Sequence, residues 1–268
     1  GGSWGSTLSL AYGINHPDRC LGLILRGIFL TRKKELEWFY QHGASEIFPD
    51  FWERYRDEIP EDERGDFMAA YHKRLTSDDE QTRLDAARAW STWEGATSKL
   101  FPDQDLVDHW EEPHEALSLA RIESHYFVNG SFFPSDNYLL ENVDKVRHLP
   151  IVIVQGRYDV VCPMTSAWDL HRALPEAEFV VVPDSGHSVS EKGITAALVD
   201  AMDRLKTAGL YTERGRPCPH LFSESGHSCP LSSAPLPAPE GWPARVGAVD
   251  PARTSAPRLA LSRKPRVI

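Results

Sequence analysis

Three apolar runs set the tightest limit on how this chain folds: CLGLILRGIF at residues 20–29, IVIVQG at 151–156 and EFVVVP at 178–183. None alternates polar with apolar residues as a strand with one wet face does, so each reads as a buried strand. Buried strands pair in parallel and need helices on their faces, which is what the flanking segments offer. Helical spacing is expected over 6–16, near 165–173 and near 191–206. Between the first run and the other two lies a long charged stretch, 33–127, with repeated helical spacing in segments such as DDEQTRLDAARAWSTWEGA. The chain therefore reads as α/β, with a helical insertion that interrupts the sheet.

GGSWG at residues 1–5 precedes the first helix directly. It fits G-x-S-x-G, in which Ser sits on a strained turn between strand and helix and its neighbours are glycines because side chains there would clash. The strand that should lead into such a turn lies outside the sequence. A Ser hydroxyl at Ser3 becomes a nucleophile only when a base accepts its proton, and that base needs an acid to hold its tautomer. In α/β-hydrolases the order along the chain is Ser, acid, His, the last two on loops after late strands. IVIVQGRYDVVCP places Asp159 just past one expected strand, and FVVVPDSGHS places His187 just past the next. Taken singly, Asp159 also fits a helix cap, His187 is one of 11 histidines, and Asp184 is a rival acid on the His187 loop. Order and strand context together favour Ser3, Asp159 and His187 as a triad.

The formal charge of −10 argues against a general affinity for nucleic acid. No stretch approaches the ~18 consecutive apolar residues of a membrane span. Cysteines at 20, 162, 218 and 229 form no CxxC pair, so neither a zinc ribbon nor a disulfide framework is expected, and a cytoplasmic location follows as the default. Ten of the 20 prolines fall in residues 207–268, where 8 Arg and Lys face 4 Asp and Glu. That stretch is expected to be disordered, since few large apolar residues are available to offset its chain entropy.

With these motifs in place, the sequence resembles the proline iminopeptidases, prolyl aminopeptidases of the α/β-hydrolase superfamily. The resemblance runs through GGSWGSTLSLAYGINHP, RGIFLTRKKELEWFYQHGASEIFPDFW, ARAWSTWEGA, ARIESHYFVNG and IVIVQGRYDVVCP to DSGHS, about residues 1–206. It implies an α/β-hydrolase fold, entered at the nucleophile elbow, with a helical cap. The segments expected are 1–32 and 141–206 for the sheet domain, 33–140 for the cap and 207–268 for the tail. It also implies release of an unsubstituted proline from a peptide N-terminus without cofactor or metal, with Ser3 as nucleophile, Asp159 as acid, His187 as base and the Trp4 amide as an oxyanion donor.

Glu94 of WSTWE and Glu123 of ARIESHYF are implied to hold the substrate's amino group. The chemistry is sound, because a buried prolinium needs carboxylate partners. Phe29, Trp38 and Phe39 resemble the family's aromatic pocket for the pyrrolidine ring. Cys162, three residues past Asp159, is given no catalytic role. Members of the family carry an N-terminal region with an HGGPG-type loop that supplies a further oxyanion donor, and this sequence does not contain it. Losing one such donor costs about 100- to 1000-fold in rate, so the polypeptide by itself is expected to be inactive and poorly folded. The alternatives are another capped α/β-hydrolase, an esterase or amidase, or a non-catalytic truncated product.

Overall fold

The apolar runs become neighbouring strands of one parallel sheet in a computed structural model that describes residues 1–207. Strand β1 (Gly2–Ser3) leads into helix α1 (Trp4–Asn15), and β2 (Leu23–Ile28) follows. Gly2 and Ser3 thus themselves supply the strand into the elbow, pairing with Arg26 and Ile28 of β2. The chain then leaves the sheet through α2 (Lys33–Leu36), a π-helical turn Glu37–Gln41, α3 (Pro49–Asp57), α4 (Phe67–Leu75), α5 (Glu80–Thr97), α6 (Gln104–Trp110), α7 (Pro113–Val128) and α8 (Tyr138–Glu141). It returns as β3 (Ile151–Gly156), α9 (Met164–Ala173), β4 (Glu178–Val182) and α10 (Lys192–Thr207). Strand order among the described residues is β1-β2-β3-β4, with Leu23 opposite Ile151 and Val154 opposite Val180.

Burial follows the two faces of this sheet. Leu23, Leu25, Ile28, Ile151 and Ile153 pack with Leu10 and Ile14 of α1 and Leu170 of α9. Val152, Val154 and Val182 face the other way, against Ile194 and Ala201 of α10. All six residues of β3 are buried, as a continuous apolar run predicts. In β4 only Val182 is buried, and Glu178 is exposed. The expectation of a fully buried strand fails there because β4 has a strand neighbour on one side only among the described residues.

The insertion builds a second core from aromatic rings. Tyr55, Tyr71, Trp90 and Trp93 are fully buried, Tyr55 stacks on Tyr71 at 4.4 Å between centroids, and Tyr40 stacks on Trp90 at the same distance. Each such pair contributes about 0.5–1.5 kcal/mol beyond the area it buries. Asp79 caps α5 by accepting from Thr82 N at 2.7 Å, and Asp66 caps α4 in the same way. Helix α5 packs along α7, which brings the WSTWE and ARIESHYF segments side by side. Among the described residues no helix is long and apolar enough to cross a membrane. The Pro-rich stretch expected over 207–268 lies, from residue 208 onward, outside the described residues.

Candidate active site

Ser3 occupies the turn between β1 and α1 with φ 55° and ψ −126°, left-handed backbone that a non-glycine residue adopts only at a cost. A Cβ on Gly1 would lie 2.1 Å from the Gly5 carbonyl oxygen, which excludes a side chain there, and one on Gly2 would lie 2.4 Å from the Arg26 guanidinium, which would have to shift away. Gly5 has open space at that point. The turn is fastened from within: Ser6 Oγ donates to Ser3 O at 2.7 Å and accepts from Phe29 N at 3.1 Å, and Thr7 Oγ1 donates to Phe29 O. These bonds explain why Ser6 and Thr7 are fully buried in an otherwise ordinary helix. Trp4 is the first residue of α1, where the amide has no partner within the helix.

Asp159 and His187 meet across the loops that follow β3 and β4. Asp159 Oδ2 lies 2.8 Å from His187 Nδ1, and both residues are buried. Asp159 also accepts from Cys162 N at 2.7 Å and from Gln155 Nε2 at 3.1 Å. Gln155 in turn accepts from Ile28 N and donates to Cys162 O, tying β2, β3 and the acid loop together. On the far side of the imidazole, Arg26 Nη1 lies 3.1 Å from His187 Nε2 and donates to His187 O at 2.9 Å. A guanidinium only donates, so Nε2 must accept and Nδ1 must carry the proton toward Asp159. That is the tautomer a general base requires.

Ser3 has no hydrogen bond to His187. Its Oγ lies 4.0 Å from Cys162 Sγ. Burial pushes the Cys162 thiol well up, and the negative charge of Asp159 adds to the effect. It stays protonated and is a poor nucleophile.

Ser3, Trp4, Phe29, Phe39, Glu94 and Glu123 line one narrow cavity. Phe29 meets Phe127 edge-on at 5.6 Å, and Phe39 meets Tyr40 edge-on at 4.8 Å. Glu94 is buried and accepts from Tyr40 Oη at 2.5 Å, while Glu123 accepts from Trp90 Nε1 at 3.0 Å. Burial raises the Glu94 carboxyl above the ordinary range, with the Tyr40 hydrogen bond pulling it back. Glu123 is also pushed up, by burial first and then by the charge of Glu94 beside it. Two carboxyls so placed share protons at a pH where separate ones would have lost them.

Trp38 lies off the cavity: its Nε1 donates to Val160 O at 2.8 Å, beside Asp159, and so braces the acid loop. Asp184 accepts no hydrogen bond from His187; the imidazole's carboxylate partner is Asp159.

Four contributors carry no motif of their own. Gln155 and Arg26 are polar residues inside apolar runs, a mismatch visible in the amino-acid sequence that marks them as candidates for a site. Tyr40 has no such signal. Glu35 also borders the cavity, but Leu30 N, Arg32 and Ser166 use both its oxygens, which makes it a brace between the end of β2 and α9.

The profile of the family described as alpha/beta hydrolase fold matches residues 1–193. A protein of Leptolyngbya boryana named "Probable proline iminopeptidase" is 63% identical over 204 residues, 76% of this chain and 64% of that one. The proline iminopeptidases of Arabidopsis thaliana and of Xylella fastidiosa strain Temecula1 are 59% and 58% identical, over 77% and 76% of this chain and 54% and 65% of their own lengths. The chain thus spans between half and two thirds of the length of these relatives.

Proposed function

Since this chain belongs to the α/β-hydrolase fold family, we propose that its protein is a serine aminopeptidase that releases an unsubstituted N-terminal proline from peptides. The observation that carries this reading is a single cavity lined by Ser3 together with Glu94 and Glu123. A prolinium nitrogen supplies the positive charge and two N–H donors that this under-satisfied pair calls for. Phe29 and Phe39 offer apolar faces to the ring. A peptide with a blocked N-terminus brings no cation, which restricts cleavage to the first residue. Proline iminopeptidase names among relatives 58–63% identical support the same substrate.

In this reading Ser3 Oγ attacks the prolyl carbonyl carbon while His187 Nε2 takes its proton and Asp159 steadies the imidazolium. The Trp4 amide donates to the developing oxyanion. Collapse breaks the C–N bond, the leaving amine takes the proton from His187, and a prolyl ester on Ser3 remains. Water, deprotonated by His187, attacks this ester and frees proline and Ser3. The mechanism requires the imidazole Nε2 to turn from Arg26 toward Ser3, since Arg26 uses its lone pair in the structure. No cofactor or metal enters any step. The absence of paired cysteine spacings supports a reducing, cytoplasmic setting.

The test compares β-naphthylamides of proline, alanine and leucine and of N-acetylproline as substrates of the whole protein. Preferential release from free proline is expected. Equal turnover of the N-acetylated compound would overturn the reading in favour of a general amidase or esterase.

A further inference from the structure

The loop that carries His187 rests on the end of α5, one helical turn past Glu94. Ser98 O accepts from both His187 N at 3.0 Å and Ser188 N at 2.8 Å. Ser98 Oγ donates to Glu94 O at 2.7 Å, so the residue that receives the His187 loop is fastened to the residue that faces the cavity. Glu191 completes the junction. Its Oε1 accepts from Leu100 N at 2.8 Å and its Oε2 from Gly186 N at 2.7 Å, so the two oxygens grip one residue on each side of the contact. The two backbones approach so closely that a Cβ on Gly186 would lie 2.9 Å from Leu100 N and 3.2 Å from Glu191 Oε1. Glu191 also starts α10, its carbonyl accepting from Thr195 N at 2.9 Å, which anchors the latch to the helix behind the sheet.

We propose that Glu191 is a positioning residue: it latches the His187 loop to the end of α5, so that the base and the amine-binding Glu94 are held as one unit. The proposal rests on the aminopeptidase reading for the role of Glu94, while the link from Glu191 to His187 is independent of substrate. Neither oxygen of Glu191 reaches the cavity, so its effect passes through the Gly186 and Leu100 amides. Alanine leaves both amides without their acceptor, and glutamine keeps one acceptor oxygen. The effect is therefore graded.

The experiment follows the rate at which a fluorophosphonate modifies Ser3 in the whole protein. Phosphorus bonds to Ser3 Oγ as fluoride leaves and His187 takes the hydroxyl proton, so the rate reports the base without reference to peptide specificity. Glu191→Ala is expected to slow modification at least fivefold, with Glu191→Gln recovering at least half of the loss on a logarithmic scale. Gly186→Ala, which wedges the same contact from the other side, is expected to slow it as well, and it carries the test if Glu191→Ala does not fold.

Proline release is then measured in a double-mutant cycle with Glu94→Ala, where the penalty for losing Glu94 is expected to shrink at least threefold once the latch is open. A smaller loss in the alanine variant, no recovery by glutamine, or additive effects of Glu191 and Glu94 would overturn the latch. If the unaltered protein is modified at Ser3 yet releases no proline, the substrate reading fails, and the modification rates alone decide the role of Glu191.

Discussion

Asp159 and the Glu94–Glu123 pair are inward-facing carboxyl groups on either side of the same chemistry, and the protein treats them in opposite ways. Asp159 accepts from a backbone amide of its own loop, from the Gln155 amide of β3 and from the imidazole of the loop after β4. Glu94 accepts from Tyr40, Glu123 accepts from Trp90, and the two carboxyls stand against one another. The first group is complete before any substrate arrives. The second is incomplete, and burial and mutual repulsion drive it to hold protons. A carboxylate built to orient a base gains from fixed donors, whereas one built to take a cation must keep acceptor capacity in reserve. Under the proposed function, the sheet strands and their loops carry the constant machinery and the insertion carries the receptor for charge.

Breaking the complete group should have the largest effect. Asp159→Asn preserves shape but offers Nδ1 the wrong partner, and kcat is expected to fall about 10⁴-fold with KM little changed, read by steady-state kinetics on proline β-naphthylamide. Breaking the receptor comes next. Glu94→Ala should lower kcat/KM for that substrate about 30-fold or more, the loss expected when one partner of a buried charge pair is removed. A simple ester, which brings no ammonium, should lose far less in the same variant.

Tyr40→Phe removes the donor to Glu94 and leaves its ring stacked on Trp90. A hydrogen bond to a charged group is worth about 1.5–3 kcal/mol, so KM should rise at least about tenfold. The smallest effect sharpens the contrast through stability. Because the folded-state pKa of Glu123 is raised, its contribution is present below the ordinary glutamate value and is lost as pH rises toward the raised one. Glu123→Gln should therefore flatten the decline of Tm across that interval and raise Tm at neutral pH by about 2–4 °C, measured by calorimetry across pH. An unchanged pH profile would mean that the pair is not strained in the free protein.

Much of the sheet domain is legible in the sequence because its signals are local. The continuous apolar run IVIVQG forms the fully buried β3, and the helices expected near 165–173 and 191–206 form as Met164–Ala173 and Lys192–Thr207. Asp159 and His187 stand out because each follows a strand directly, and a parallel sheet delivers such loops to one edge. The aromatic pocket is less legible. Phe29 and Phe39 line the cavity, but Trp38, adjacent to Phe39, turns its indole to Val160 O. Neighbouring residues on the π-helical turn point in different directions, and no periodicity in EWFYQ specifies which faces the cavity. EFVVVP reads as fully buried because composition does not say how many neighbours a strand will have.

By itself the sequence determined the α/β class, the helical insertion, the strained serine turn and the order Ser3, Asp159, His187. The motifs that carry them are each about a dozen consecutive residues or fewer, read through glycine sterics or the period of apolar side chains. Only the tertiary structure decided that Glu94 and Glu123 share a cavity with Ser3, that Arg26 holds His187 Nε2, and that Glu191 fastens Gly186 to Leu100. Most of those contacts join residues tens to more than a hundred positions apart. They depend on how α5 lies along α7 and how the loop after β4 meets the end of α5, and side-chain packing across elements sets that geometry where sequence spacing does not.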